Sequence, residues 1–108
     1  MSSREERVAK NEVLFREVNE RIQEAARRAD FQGPTVFICE CGREECAEPI
    51  ELTLQEYEDV RSEATRFAIA SNHAIEDVEH VVERHGRYVV VEKIERAAEI
   101  AQENDPRS

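Results

Sequence analysis

The stretch from Phe37 to Cys46 reads Phe-Ile-Cys-Glu-Cys-Gly-Arg-Glu-Glu-Cys and contains all three cysteines of the chain. One residue separates Cys39 from Cys41, and four residues separate Cys41 from Cys46. Three thiolates do not sit together near neutral pH without a cation to balance their charge. Apolar runs typical of short strands precede and follow the stretch. The pattern therefore predicts a metal-binding knuckle between two strands.

Zinc prefers thiolate sulfurs and imidazole nitrogens arranged as a tetrahedron, so three cysteines need a fourth partner. His73 is the favoured fourth ligand because it lies in a predicted loop directly after a predicted strand. His85, the carboxylate of Glu40 and a water molecule are the alternatives. The predicted zinc ligands are then as follows: Cys39, Cys41, Cys46 and His73.

A second interpretation treats the cysteines as small buried apolar side chains, because cysteine is among the most buried residue types. The charged residues around them argue against this and predict a solvent-facing loop. The Cys-x-Cys-x4-Cys spacing also differs from the Cys-x2-Cys spacing of zinc ribbons, so the spacing alone does not identify a known zinc fold.

The longest predicted element is a helix over residues 3–30. Its apolar positions follow a seven-residue repeat with one polar member. The repeat comprises Val8, Asn11, Phe15, Val18, Ile22, Ala25 and Ala29, and Leu14 and Ala26 widen it. This stripe packs either on the helix's own domain or on a second copy of the chain, which makes a homodimer the alternative. Gly33 and Pro34 are predicted to end the helix.

The remaining chain predicts short strands and helices. The predicted elements are a strand over 35–39, an antiparallel strand over 50–53, a helix over 54–62, a strand over 66–70, a hairpin with arms 78–84 and 87–93, and a helix over 94–103. Thr53 and Glu56 form a capping box for the helix that follows them. A helix over 75–84 is the alternative to the first arm of the hairpin.

These elements predict one α+β domain over residues 1–108. A long N-terminal helix packs on a small, mostly antiparallel sheet over 35–93, which carries the cysteine knuckle at 39–46. One or two further helices complete the domain.

The net charge of −10 is unevenly distributed along the chain. Residues 1–34 carry seven basic and seven acidic side chains, whereas the rest carries eight basic and eighteen acidic ones. An acidic surface repels nucleic-acid backbones and anionic membranes. No run reaches the ~20 apolar residues of a membrane helix. We therefore expect a cytoplasmic protein with a protein partner, and neither nucleic acid nor membrane.

Four segments resemble a group of short, uncharacterised bacterial proteins, chiefly from high-GC Gram-positive organisms. They are residues 11–22, Cys39-Glu40-Cys41-Gly42, residues 52–57 and residues 88–93. The resemblance covers most of the chain. It implies a single cytosolic domain in which the three cysteines and the region of His73 occur together, and it implies no particular activity.

The sequence therefore favours a small zinc-binding protein that acts as a non-enzymatic adaptor or regulator through protein–protein contacts. The first alternative is a redox- or metal-responsive sensor that uses the same thiolates. The second is a small zinc enzyme, which needs an open metal position and a base such as Glu40 or Glu44. The chain has only three glycines and lacks a phosphate-binding loop and a His-Glu-x-x-His motif.

Overall fold

The structure is a computed structural model, and it describes residues 4–41, 46, 48–71, 73–74, 79–103 and 105. Its elements in chain order are α1 (Arg4–Arg28), β1 (Thr35–Ile38), β2 (Pro49–Leu52), α2 (Leu54–Arg61), β3 (Arg66–Ile69), β4 (Glu79–Arg84), β5 (Val89–Lys93) and α3 (Glu95–Glu103). The predicted α+β class is confirmed. Residues 3, 42, 44 and 75–78, on which some predictions fall, lie outside the described residues.

The strands form two antiparallel sheets where the sequence predicted one. β1 pairs with β2, and Phe37 lies opposite Ile50. β5 lies between β3 and β4 in the second sheet. The two sheets are linked beyond the end of β1, where the amide of Glu40 donates to the carbonyl of Ala68 at 2.9 Å. The predicted hairpin is confirmed over β4 and β5, so the helical alternative for this region is wrong over Glu79–Arg84.

Local signals fix several helix ends. The predicted capping box of α2 is confirmed, since the hydroxyl of Thr53 accepts from the amide of Glu56 at 3.0 Å and the Glu56 carboxylate accepts from the amide of Thr53 at 2.8 Å. The end of α1 differs from the prediction. Asp30, with φ 54°, takes the left-handed position, and the amide of Phe31 donates to the carbonyl of Ala26 at 3.0 Å. This is a Schellman motif, and Gly33 (φ 97°) belongs to the turn after it.

The apolar core lies between the two sheets and α2. The ring of Phe37 stacks on that of Tyr57, with 4.5 Å between their centroids. Phe67, Ile69 and Val91 contribute fully or almost fully buried side chains from the second sheet. The core thus holds together β1 and β2, which flank the cysteine region, with α2 and the second sheet.

α1 packs on this body through four polar residues, through Val13, which is buried, and through Ile22, which packs against the core. Glu12, Arg16, Asn19 and Gln23 are spaced by three or four residues, so they share one side of the helix, and all four are buried. The predicted apolar stripe is therefore not the main contact face. Its members Leu14 and Val18 are exposed, and Phe15 and Ile22 are only half-buried.

The polar face is held by specific contacts. The guanidinium of Arg16 donates to the carbonyls of Ala64, at 2.8 Å, and Arg66. It also lies 3.7 Å from the centre of the Phe67 ring, a cation–π contact. The side chain of Asn19 binds both the amide and the carbonyl of Ile38, at 2.9 and 2.8 Å. The hydrophobic pattern misses this face because hydrogen bonding, and not apolar burial, determines it.

A buried ion cluster completes the contact between α1 and β5. The ammonium of Lys93 contacts the carboxylates of Glu12 and Glu79, and all three side chains are buried. Burial raises the pKa of Glu12 to about 8, although the Lys93 charge opposes that shift. Burial likewise lowers the pKa of Lys93. A buried cluster of this kind makes the attachment of α1 dependent on pH.

Candidate metal centre

The cysteines meet because β1 and β2 form a hairpin whose connecting segment holds them. The amide of Cys39 donates to the carbonyl of Glu48 at 2.8 Å, which continues the pairing of the two strands beyond Ile38. Cys39 and Cys41 follow β1, and Cys46 precedes β2. His73 follows β3 in a turn, where its amide donates to the carbonyl of Ala70 at 3.2 Å.

All four predicted ligands lie together. The three Sγ atoms and a ring nitrogen of His73 are all within 4.8 Å of one another. The Nδ1 atom of His73 lies 3.5 Å from the sulfur of Cys39 and 3.6 Å from that of Cys46. Zinc–sulfur bonds of about 2.3 Å and zinc–nitrogen bonds of about 2.0–2.1 Å give a sulfur–nitrogen edge of roughly 3.6 Å in a tetrahedron. The donor set and both measured edges therefore fit a tetrahedral metal ion.

Groups around the ligands hold them in position. The Nε2 atom of His73 lies 3.0 Å from the Oε2 atom of Glu48. A carboxylate at this place accepts a hydrogen bond from the Nε2–H group, which leaves the Nδ1 lone pair available to a metal ion, as in many histidine–zinc sites. The amide of Ala70 donates to the sulfur of Cys39 at 3.2 Å, and the amide of Glu48 acts similarly on Cys46. These backbone donors favour the thiolate forms.

The thiols disfavour one another's ionisation when they are alone. The pKa of Cys39 is raised mainly by a hydrogen bond with Cys41 and, to a smaller extent, by burial. Burial also raises the pKa of Cys46. Three thiolates at this spacing therefore need a cation among them. A divalent ion supplies that charge, and its binding releases the thiol protons.

The centre lies at the boundary between core and solvent. Cys39 and Cys41 are fully buried, whereas Cys46 is only half-buried and 24% of the His73 side chain is exposed. The prediction of a solvent-facing loop is thus wrong for the first two cysteines. Charge in the neighbouring sequence misled it, because Glu40 lies in the core and not at the surface.

Glu40 does not belong to the ligand set. Its carboxylate accepts hydrogen bonds from the hydroxyl of Tyr57 at 2.8 Å, the side-chain amide of Asn19 at 2.9 Å and the backbone amide of Ala68 at 3.0 Å. Successive side chains of an extended segment point to opposite sides, so Glu40 points away from the thiols on either side of it. As an alternative ligand or catalytic base it is therefore wrong, and its role is to anchor the segment between Cys39 and Cys41.

The other histidines lie elsewhere. The ring of His85 stacks on that of Tyr88, with 4.4 Å between centroids, and its Nε2 atom is 3.0 Å from a carboxylate oxygen of Glu83. His80 is exposed on β4. The structure therefore places His73, and neither of these two histidines, beside the thiols.

Sequence reasoning missed the groups that support the site. Glu48 stands two residues after Cys46 and directly before β2, which places it opposite Cys39 once the hairpin is drawn. That register was readable from the two predicted strands. The role of Asn19 was not readable, because it depends on how α1 docks.

Comparisons with known proteins identify no relative: no protein-family model, curated protein or solved structure matches the chain. The resemblance to short bacterial proteins stays a prediction. Across the residues that the structure describes, no helix has the combined length and apolar character that crossing a bilayer requires.

Proposed function

We propose that this chain is a small zinc protein whose Cys3His centre is structural and whose role is to bind another protein. The observation that carries the proposal is the meeting of four donor atoms from three chain segments within 4.8 Å. Zinc is the metal that best suits three thiolates and one imidazole in a tetrahedron. The ligands would be Cys39, Cys41, Cys46 and His73.

A structural role is favoured over a catalytic one because the protein can supply all four ligands. Catalytic zinc sites keep a position for water or substrate and place a base beside it. Here His73 would supply the fourth ligand. Glu40, one of the two candidate bases, accepts hydrogen bonds from three donors in the core. When bound, the metal would tie the β1–β2 hairpin to the end of β3.

The partner we propose is a protein with a basic surface. The net charge of −10 comes entirely from residues after Pro34, so the body of the domain attracts basic surfaces and repels nucleic acids. Thiolate ligands persist in a reducing compartment, which supports a cytoplasmic location. The protein would then act as an adaptor or regulator rather than as an enzyme.

The test is removal of the metal under reducing conditions. The thermal midpoint of the zinc-loaded protein is compared before and after treatment with a strong chelator, and again after zinc is restored. Structural zinc supplies ~10 kcal/mol or more of apparent folding energy in small domains. We expect chelation to lower the midpoint steeply and zinc to restore it. An unchanged midpoint after complete metal removal would contradict a structural role.

A redox-responsive function is the second candidate, and the exposure of Cys46 favours it. A hydroperoxide reaching this thiolate would oxidise it to a sulfenate and be reduced to the alcohol or water. Condensation with a neighbouring thiol would then form a disulfide, release water and expel the metal. Zinc release at sub-stoichiometric to equimolar peroxide would support a sensor, whereas zinc retention under these conditions would leave the structural role alone.

A further inference from the structure

α1 presents apolar side chains to solvent that its own domain does not use. Among the described residues the large exposed hydrophobic side chains are Leu14 (57%), Val18 (44%), Phe31 (50%) and Val36 (56%). All of them belong to α1, to β1 or to the connection between these elements. α1 buries four polar side chains together with Val13, and Ile22 packs against the core, so Leu14 and Val18 are left exposed after the domain has folded.

The exposed apolar residues of α1 face away from α2. Gln23 contacts Glu58 of α2, which places α2 on that side of α1. At 100° per residue, Leu14 and Val18 lie roughly 140–180° around the helix from Gln23. Their side chains therefore point to the opposite side of the molecule.

Val36 is the exposed apolar residue of β1. Asn19 binds the backbone of Ile38, so α1 lies beside β1. Phe37 turns inward onto Tyr57 of α2, and side chains alternate along a strand, so Val36 turns away from α2. We call the exposed apolar residues of α1 and β1 together the α1–β1 face; Glu51, the cross-strand partner of Val36, lies on the same side of the strand pair.

The charges beside this face suit a second copy of the chain. Residues 1–34 are electrically balanced, whereas the rest carries the entire excess of −10. Two copies therefore repel one another through the remainder of the surface and least along α1. The exposed side of α1 also alternates in sign, in the order Glu17, Arg21, Glu24 and Arg28.

We infer that the α1–β1 face is a homodimer interface, in which two α1 helices pack antiparallel about a two-fold axis. With the axis beside Ile22, Glu17 of one copy faces Arg28 of the other, and Arg21 faces Glu24. Each pair occurs twice by symmetry. The same register brings Leu14 of one copy beside the C-terminal end of α1 of the other. The predicted heptad stripe then has a partner that the monomer does not provide.

The dimer is a weak one. The helical strip from Leu14 to Arg28 is about 20 Å long and about one helix diameter, roughly 10 Å, wide. Its area is therefore well below the roughly 800 Å² that each partner buries in a standard interface. We expect a dissociation constant in the micromolar range.

The test is sedimentation velocity of the full, zinc-loaded chain at concentrations from roughly 1 µM to 1 mM. The wild type is compared with Val18→Glu, which keeps a good helix former but places two charges at the interface. Gln102→Glu adds the same charge at an exposed position of α3 and serves as the control. Circular dichroism and zinc content report whether each variant folds.

We expect wild type and Gln102→Glu to dimerise alike, and Val18→Glu to raise the dissociation constant at least about tenfold. Leu14→Glu is a second variant with the same expected effect, should Val18→Glu not fold. A wild type that stays monomeric throughout, or a folded Val18→Glu or Leu14→Glu that dimerises as tightly as wild type, would overturn the inference. Because zinc content is measured separately, failure of the dimer is distinguishable from failure of the metal centre.

Discussion

Replacing Glu40 by glutamine tests whether this side chain anchors the cysteine segment. Glu40 accepts three hydrogen bonds in the core, from Tyr57, Asn19 and the backbone of Ala68. Glutamine has nearly the same shape but no charge, and its NH2 group faces donors where the carboxylate presents an acceptor. The substitution therefore removes electrostatic complementarity without creating a cavity.

The expected loss in the free energy of unfolding depends on how many of the three donors are left without a good acceptor. Hydrogen bonds to charged groups contribute about 1.5–3 kcal/mol each, and a stranded buried donor costs about 1–3 kcal/mol. One amide oxygen still serves one or two of the three donors. We therefore expect Glu40→Gln to lower the free energy of unfolding by about 3 kcal/mol, a large part of the 5–15 kcal/mol typical of a domain.

The assay is equilibrium unfolding in urea with zinc and reductant present. The midpoint should fall while the slope stays constant, because the exposed area is unchanged. Glu51→Gln removes a charge from an exposed position of β2 and should stay within about 0.5 kcal/mol of wild type. A double-mutant cycle with Tyr57→Phe should give a coupling of roughly 1 kcal/mol. Stability equal to wild type in Glu40→Gln, or zero coupling, would refute the anchoring role.

Three further predictions concern the buried carboxyl group of Glu12, the contact between Glu48 and His73, and the N-cap of α2. The pKa of Glu12 is raised from 4.5 to about 8 on folding, so stability should fall as pH rises from about 5 to 8, by at most ~1.4 kcal/mol per pH unit. Glu12→Gln, also zinc-loaded, should flatten that slope, and an unchanged slope would contradict the buried position. Glu48→Ala should weaken zinc binding about 10–100-fold in chelator competition, because it removes the acceptor for the Nε2–H group of His73; an unchanged affinity would contradict this supporting role. Thr53→Ala should lower the free energy of unfolding in urea by ~1 kcal/mol, because α2 loses its N-cap. An unchanged free energy of unfolding would contradict the capping role.

Local signals in the sequence were sufficient for most of the fold. Thr53 and Glu56 mark the start of α2 because a capping box needs only residues three apart. Tyr88-Val89-Val90-Val91 predicts a strand through β-branched content alone, and the turn before it predicts the hairpin. Such signals involve neighbours in the chain, so they do not depend on how the elements pack.

The contact face of α1 was not predictable in the same way. Pattern analysis assigns the apolar side of a helix to the core, and it would bury Leu14 and Val18. The structure instead buries Glu12, Arg16 and Asn19, each of which finds its partner far along the chain. A polar residue is buried when a distant group satisfies it, and no local pattern encodes that partner.

The candidate metal centre contains features that the local sequence predicts and features that depend on distant partners. Thiol spacing and a loop histidine predict the four residues that meet, because metal ligation needs particular atom types in reach of one another. Glu40 was misassigned since its charge suggested solvent, while its buried partners come from α1, α2 and β3.

The central claim is a closed Cys3His metal site, and its most direct test is metal content by native mass spectrometry on wild type and His73→Ala. Wild type should carry one zinc per chain, and the variant should lose it or bind it far more weakly. Full zinc retention by His73→Ala would reject His73 as a ligand and indicate an open site. A wild type purified under reducing conditions that binds no metal, with all three thiols freely titratable, would contradict the metal centre itself.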